Sequence, residues 1–164
     1  MAQIILDEKI VTDDWTLLSK EFNESTIAEK QIVPLNALVN HPEILQNGKA
    51  IGVWIDSDEK PEDVAQFLDK VALVAINFPK FVDGRGYSFA RIIREQFHYT
   101  GQIRAIGDVL KDQIFYMKRC GFNAFSIRQD RDIEDALHGL TDFSETYQAA
   151  IDQATPLFRR RISK

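Results

Sequence analysis

The chain has 164 residues, of which 45% are apolar and 27% charged, with a formal net charge of −5. At ~150 residues per domain, this length predicts a single domain spanning residues 1–164. The composition excludes wholesale disorder, a collagen-like repeat and a membrane bundle. Charge is unevenly spread, because Arg159, Arg160, Arg161 and Lys164 crowd the C-terminus; without them 16 basic residues face 25 acidic ones and the body carries −9. An acidic body repels phosphodiester backbones, so nucleic acid is not an expected partner. Residues 155–164 form a basic tail that reads as a solubilising terminus or as a contact for an acidic partner surface.

In chain order, residues 3–6 and 9–11 are short and β-prone, which predicts an N-terminal hairpin within a hairpin-and-loop segment covering 1–31. Its connecting pair, Asp7-Glu8, is a poor choice for a type I′ turn. Residues 13–31 have no clean period and read as loop with a little strand. Pro34 to Val39 looks like a helix opening on proline, broken at His41-Pro42. From residue 50 the pattern changes. Residues 50–55 and 72–78 are apolar runs, and residues 102–106 and 124–127 read as a third and a fourth strand. They alternate with helical spacing over 61–71, 87–98 and 109–120, the last closed by Gly121 in a left-handed C-terminal cap. Residues 132–140 and 143–153 read as closing helices. Continuous apolar strands alternating with amphipathic helices predict an α/β fold: a mostly parallel sheet of about four strands with right-handed crossover helices, either an open wound sheet or a half-barrel.

In such sheets ligands bind outside the carboxyl ends of the strands, and the polar residues gather there. Asp56 and Asp58 end the first run. Asn77, Lys80, Asp83 and Arg85 follow the second, Gly107 and Asp108 the third, Arg128 and Asp130 the fourth. Asp83-Gly84-Arg85-Gly86 precedes a helix, so an anion could meet exposed N–H groups and the Arg85 guanidinium. It lacks the third glycine of a dinucleotide fingerprint and the Gly-Lys-Ser/Thr of a P-loop. The plainer alternative is a turn in which Asp83 or Ser88 caps the helix. Arg104 sits between apolar neighbours within a strand, where an unpaired charge costs several kcal/mol. It therefore needs a partner, a ligand or an open sheet face, with Asp108 and Asp83 the natural partner candidates. Asp108 also stands where it could cap the helix from Val109, with Asp112 one turn on. His41, His98 and His138 are scattered without metal spacing, and no metal is expected. The single cysteine, Cys120, sits late in a helix, reads as a buried packing residue, and cannot alone hold an iron–sulfur cluster. Trp15 and Trp54 read as packing residues.

Three segments carry a resemblance: residues 78–91 (FPKFVDGRGYSFAR), 99–113 (YTGQIRAIGDVLKDQ) and 119–125 (RCGFNAF). Together they are similar to a bacterial family of unknown function whose members are labelled as an oxidoreductase involved in sulfite reduction. The resemblance covers about residues 35–130. It departs at Gly101-Gln102-Ile103-Arg104-Ala105, where the family pattern has Gly-Glu-Leu-Arg-Ala. It implies an accessory role in sulfite reduction or sulfur assimilation, with sulfite reductase or another enzyme of that chemistry as partner. Reducing sulfite to sulfide moves six electrons, and the sequence offers no thiolate set, dinucleotide fingerprint or haem-attachment motif for doing so alone; the cofactor is left unassigned.

Three functional expectations follow. The first is an accessory protein with an oxyanion site built from Lys80, Gly84, Arg85, Gly86, Arg104 and Arg128. The second is a small-molecule enzyme in which Arg85 and Arg104 hold a phosphate or sulfur oxyanion while Asp83 or Asp108 moves a proton. The third is a scaffold whose Arg–Asp pairs hold loops in register. The N-terminus shows neither the basic segment nor the apolar segment of a signal peptide, and no apolar run reaches ~18 residues, so the cytoplasm is the expected location and a membrane is not an expected partner. A homodimer through an apolar sheet edge is a further expectation.

Overall fold

The structure, a computed structural model, describes residues 2–80 and 83–140. Its strands are β1 (Gln3–Leu6), β2 (Lys9–Thr12), β3 (Thr16–Leu17), β4 (Gln31–Pro34), β5 (Ile51–Ile55), β6 (Leu73–Phe78), β7 (Gln102–Gly107) and β8 (Ala124–Phe125). Its α-helices are α1 (Leu35–Asn40), α2 (Arg85–Glu95), α3 (Lys111–Cys120) and α4 (Ile133–Gly139). The strands form one sheet in the order β2-β1-β8-β7-β6-β5-β4-β3. From β3 to β8 every neighbouring pair is parallel, and the β1–β2 hairpin adds antiparallel to β8.

The sheet therefore has eight strands rather than about four, and it is not wholly parallel. Two of the additional strands, β3 and β4, fall where the sequence has little period. At two and four residues they are too short to display one. Because β4 to β8 lie side by side in chain order, successive crossovers return to the same face, and the sheet curls into an open half-barrel. The wound-sheet alternative is set aside, since it needs a reversal of strand order.

Strand alternation gives the two faces different cores. Val53, Ile55, Val74, Ile76, Phe78, Ile103, Ala105 and Phe125 point to the helix layer and join Phe89, Ile93, Ile114 and Met117 in the main core. The residues between them, Ile32, Trp54, Leu73, Ala75 and Ile106, form a smaller cluster on the inner face, with Trp15 packed against it.

Several local expectations meet their geometry. Gly121 closes α3 with φ +119°. Asp132 caps α4, its carboxylate accepting from the N–H groups of Glu134 and Asp135. The hairpin turn is left-handed at both Asp7 (φ 47°) and Glu8 (φ 64°). Tertiary bonds support this unfavourable pair: the Asn123 amide donates to Asp7 at 3.2 Å, the Asp7 N–H donates to the Asn123 carbonyl at 2.9 Å, and Lys118 pairs with Glu8 at 2.5 Å. Other expectations shift. The segment 61–71 gives a 3-10 helix over Pro61–Phe67 rather than an α-helix. Helix α3 starts at Lys111, so Asp108 lies outside it and does not cap it. The closing helix expected at 143–153 and the basic tail at 155–164 lie outside the described residues.

Gly107 ends β7 at φ +90°, and a Cβ there would lie 2.5 Å from both Asn77 Oδ1 and the Phe78 carbonyl oxygen. Gly48 is also left-handed, at φ +68°, but has open space around it. Gly48→Ala should therefore cost about 1 kcal/mol, the conformational penalty alone, and Gly107→Ala clearly more, about 2–3 kcal/mol. Urea unfolding of the two variants measures the difference.

Candidate functional site

The C-terminal ends of β5 to β8 form one rim of the half-barrel. A strap formed by residues 13–20 crosses the inner face beneath it. The strap is fixed at three levels. Its β3 segment pairs with β4. The Trp54 indole N–H donates to the Leu18 carbonyl at 2.8 Å. Lys20 reaches Asp56 at 2.8 Å and lies over the Trp54 ring, 5.6 Å from its centroid.

Its fourth anchor is Asp13, which resolves the position of Arg104. Arg104 is 2% exposed on the inner face. Its cross-strand neighbours are Ala75 on β6 and Ala124 on β8, and these small side chains leave room for a guanidinium. Nη1 donates to both Asp13 oxygens, at 3.0 and 3.1 Å. With the Gln102 amide turned so that its oxygen faces the guanidinium, the orientation that satisfies both groups, Nε and Nη2 each donate to that oxygen at 3.1 Å. The partner is thus Asp13, 91 residues away in the chain, and not Asp108 or Asp83. Those two follow the ends of β7 and β6, whereas Arg104 lies mid-strand. In that orientation Gln102 is the second partner of this guanidinium.

On the rim itself the charges form two groups. In the first, Arg85 binds Asp83 through both edges of its fork, Nε to Oδ1 at 3.0 Å and Nη2 to Oδ2 at 2.7 Å, and Nη2 also donates to Ser57 Oγ at 3.0 Å. The Arg85 guanidinium and N–H hold the Asp83 carboxyl far below the usual aspartate range, which makes it a poor proton acceptor near neutrality. Beside it, burial would raise the Asp56 carboxyl, but hydrogen bonds from Lys20, Asn77 and the Ser57 N–H outweigh burial and hold it low. Burial does raise Glu59, whose Oε2 accepts the Asp56 N–H at 2.7 Å. In the second group, Arg128 binds Asp130 bidentately at 3.0 and 2.7 Å, and its Nη1 donates to Asp108 at 2.9 Å. Arg131 stands 3.9 Å from Asp130.

The two glycines of the Asp83–Gly86 turn differ. Gly84 takes a right-handed φ of −86° open to any residue, and no side chain caps α2 there. Gly86 lies against the Phe78 ring, 2.6 Å from where a Cβ would sit. Asp83 Oδ1 accepts the Arg85 N–H at 3.2 Å, but Gly84 is the cap residue and Ser88 lies within α2, so the capping expected of Asp83 or Ser88 is not formed. Lys80 is exposed, and its carbonyl accepts the Asp83 N–H at 3.0 Å. Ser57, Lys20 and Glu59 joined the rim without any sequence signal, as did Asp13 on the inner face.

A cleft of about 500 Å³ opens between strap and rim, lined by Asp13, Trp15, Leu17, Ile32, Arg104, Ile106, Ser126, Arg128 and Asp130 among others. A second hollow of about 300 Å³ shares Leu17 and Ile106 with it and continues to Leu18, Ser19, Trp54 and Asn77. Of the expected site residues, the cleft takes in Arg104 and Arg128. Asp108 stands behind Arg128, whereas Lys80, Asp83, Gly84, Arg85 and Gly86 do not line it. Among the described residues no three of His, Cys, Asp and Glu gather to hold a metal ion, and no helix is long and apolar enough to cross a membrane.

The sequence profile of DUF934, a bacterial protein of unknown function, matches residues 52–158. The chain belongs to this family. The match starts later and runs further than the resemblance over 35–130, and the DUF934 description carries no activity. No curated protein matches the chain. The DUF934 segment supplies β5 to β8 and hence Arg104, Asp108, Arg128 and Asp130; the strap with Asp13, Trp15 and Leu17 lies outside it.

Two outcomes are expected from the ion pairs. Asp13→Ala should cost about 3–5 kcal/mol because it leaves Arg104 buried and uncompensated, whereas Asp13→Leu combined with Arg104→Met should recover most of that loss; denaturant midpoints at unchanged slope measure both. Asp83 has a depressed folded-state pKa, so its stabilisation is fully present above the unfolded pKa of about 3.9 and fades as pH falls below it. The gap in melting temperature between wild type and Asp83→Asn should be constant from pH 7 to pH 5 and shrink on further acidification.

Proposed function

We propose that this protein binds a small oxyanion-bearing ligand in the cleft between strap and rim, and acts as an accessory component of sulfite reduction or a neighbouring step of sulfur assimilation. The observation that carries the ligand reading is the Arg128 guanidinium, a planar fork lining a cleft with one apolar wall, already engaged with a carboxylate. A guanidinium holds carboxylate, sulfonate and phosphate groups by the same paired N–H donors. The cleft also lies where ligands enter half-barrel and barrel sheets, beyond the carboxyl ends of the strands. The sulfur-assimilation part rests on the resemblance of residues 78–125 to a family labelled for sulfite reduction. An accessory role suits a chain with one cysteine, which cannot itself supply the thiolates of an iron–sulfur cluster.

A scaffold reading has its own support, because the forks of Arg85, Arg104 and Arg128 are all engaged by protein partners. Gene deletion with complementation separates the two. Loss of the gene should slow growth on sulfate as sole sulfur source and be rescued by cysteine. Complementation by Arg128→Lys should fail if the cleft binds the ligand, and Arg85→Ala should restore growth while lowering the melting temperature. Unimpaired growth of the deletion strain would overturn the accessory role.

A further inference from the structure

We infer that the ligand of this cleft is an organic oxyanion, an acidic head on an apolar body, and that Asp130 is its internal stand-in on Arg128. The inference rests on the oxyanion reading above and deepens it. Its first ground is the cleft's make-up. A bare sulfite or sulfate would meet Arg128 and leave most of about 500 Å³ unfilled. The opposite wall is Trp15, Leu17, Ile32 and Ile106, and it continues through Leu17 and Ile106 into the hollow that ends at Trp54 and Asn77. Leu17 is a large apolar side chain left 50% exposed on that wall. An apolar wall facing a side of fixed polar and charged groups suits an organic molecule with one charged end. With its head on Arg128, the ligand's body would lie over Leu17 and Ile106, covering surface that water now wets.

The second ground is how Arg128 is held. Nη1 donates to Asp108, whose side chain is 24% exposed and whose N–H is tied to the Phe78 carbonyl at 2.7 Å. The other edge, Nε and Nη2, grips Asp130, only two residues along the same loop and 54% exposed. Exposed ion pairs are weak. A ligand carboxylate or sulfonate can therefore take the Asp130 edge in the same two-bond geometry while Asp108 keeps the guanidinium aimed. Asp130 leaves into water, where its charge is readily solvated. The exchange keeps Arg128 paired in both states, and it sets a threshold: only a ligand that also gains from the apolar wall displaces the resident carboxylate.

The chain's two tryptophans, Trp15 and Trp54, line the two hollows, so their emission reads occupancy directly. The full-length protein is titrated with benzenesulfonate, with neutral benzenesulfonamide and with inorganic sulfate, and melting curves without ligand confirm that each variant is folded. Benzenesulfonate should bind at least tenfold more tightly than sulfate, and benzenesulfonamide should bind far more weakly. Asp130→Asn should bind benzenesulfonate roughly fivefold more tightly than wild type, and Arg128→Lys should lose that advantage over the sulfonamide. Sulfate binding as tightly as benzenesulfonate, or Asp130→Asn binding no tighter than wild type, would overturn this inference and leave the oxyanion reading standing. If no probe shows binding that depends on Arg128, both fail together.

Discussion

The buried pair of Asp13 and Arg104 ties the two halves of this molecule together. A sheet wound in chain order puts its helices on one face and leaves the other to be covered by something else. That inner face carries Arg104 at its centre, between Ala75 and Ala124, where the small neighbours make space but offer no charge. A guanidinium that is 2% exposed requires an acceptor, because desolvation without compensation outweighs what most single contacts contribute. The acceptor comes from residue 13, and the chain that delivers it must run over the inner face. Trp15 then packs onto the inner cluster, Leu18 receives the Trp54 indole, and Lys20 reaches Asp56. The cleft is what remains between this strap and the rim, so a single electrostatic requirement inside the sheet determines where a ligand can go.

The rim follows a different rule. Arg85 and Arg128 each take a bidentate carboxylate two residues away and one partner from another loop, Ser57 for Arg85 and Asp108 for Arg128. The local carboxylate pairs with one edge of the fork, and the distant partner ties two strand ends together. Around these arginines, Asp56, Asp58, Asp83, Asp108 and Asp130 give the rim at least as much negative as positive charge. Such a rim does not attract anions by field alone. An anion that settles here must either replace a carboxylate already present or bring apolar surface to the strap, and the cleft at Arg128 is where both are available.

Sequence made the architecture visible in proportion to the length of each element. The strands β5, β6 and β7 are five or six residues long, with helices between them, and both parallel pairing and the position of the polar strand ends followed from that pattern. Of the short strands in and after the stretch with no period, β3 showed only as a little strand within 13–31 and β4 was hidden. The Asp7-Glu8 turn ran against local preference and is held from outside, by Asn123 and Lys118. The need of Arg104 for a partner was legible from its apolar neighbours. The identity of that partner was not, since a contact across 91 residues depends on sheet order, which no local pattern encodes. The same limit hid Lys20 and Ser57, which reach the rim only once the strap and the β5 loop are in place.

The segment most distinctive in sequence is also the one whose residues are most fully explained by architecture. Asp83 and Arg85 bind each other and Ser57, which joins the loop after β6 to the loop after β5. Gly86 lets the start of α2 close onto the Phe78 ring. Arg94, in the last turn of that helix, donates to the carbonyls of Tyr99, Gly101 and Gly121, which ties the chain reversal before β7 to the end of α3. A motif can therefore be long and specific because many tight contacts constrain it, and such specificity says little about chemistry. The cleft shows the opposite case. It draws on Asp13, Trp15 and Leu17 from a strap outside the family match and on Ser126, Arg128 and Asp130 from a short loop within it, so no contiguous pattern announces it. For this fold, ligand chemistry is better sought where separate segments meet over the inner face than in the run of residues by which the family is recognised.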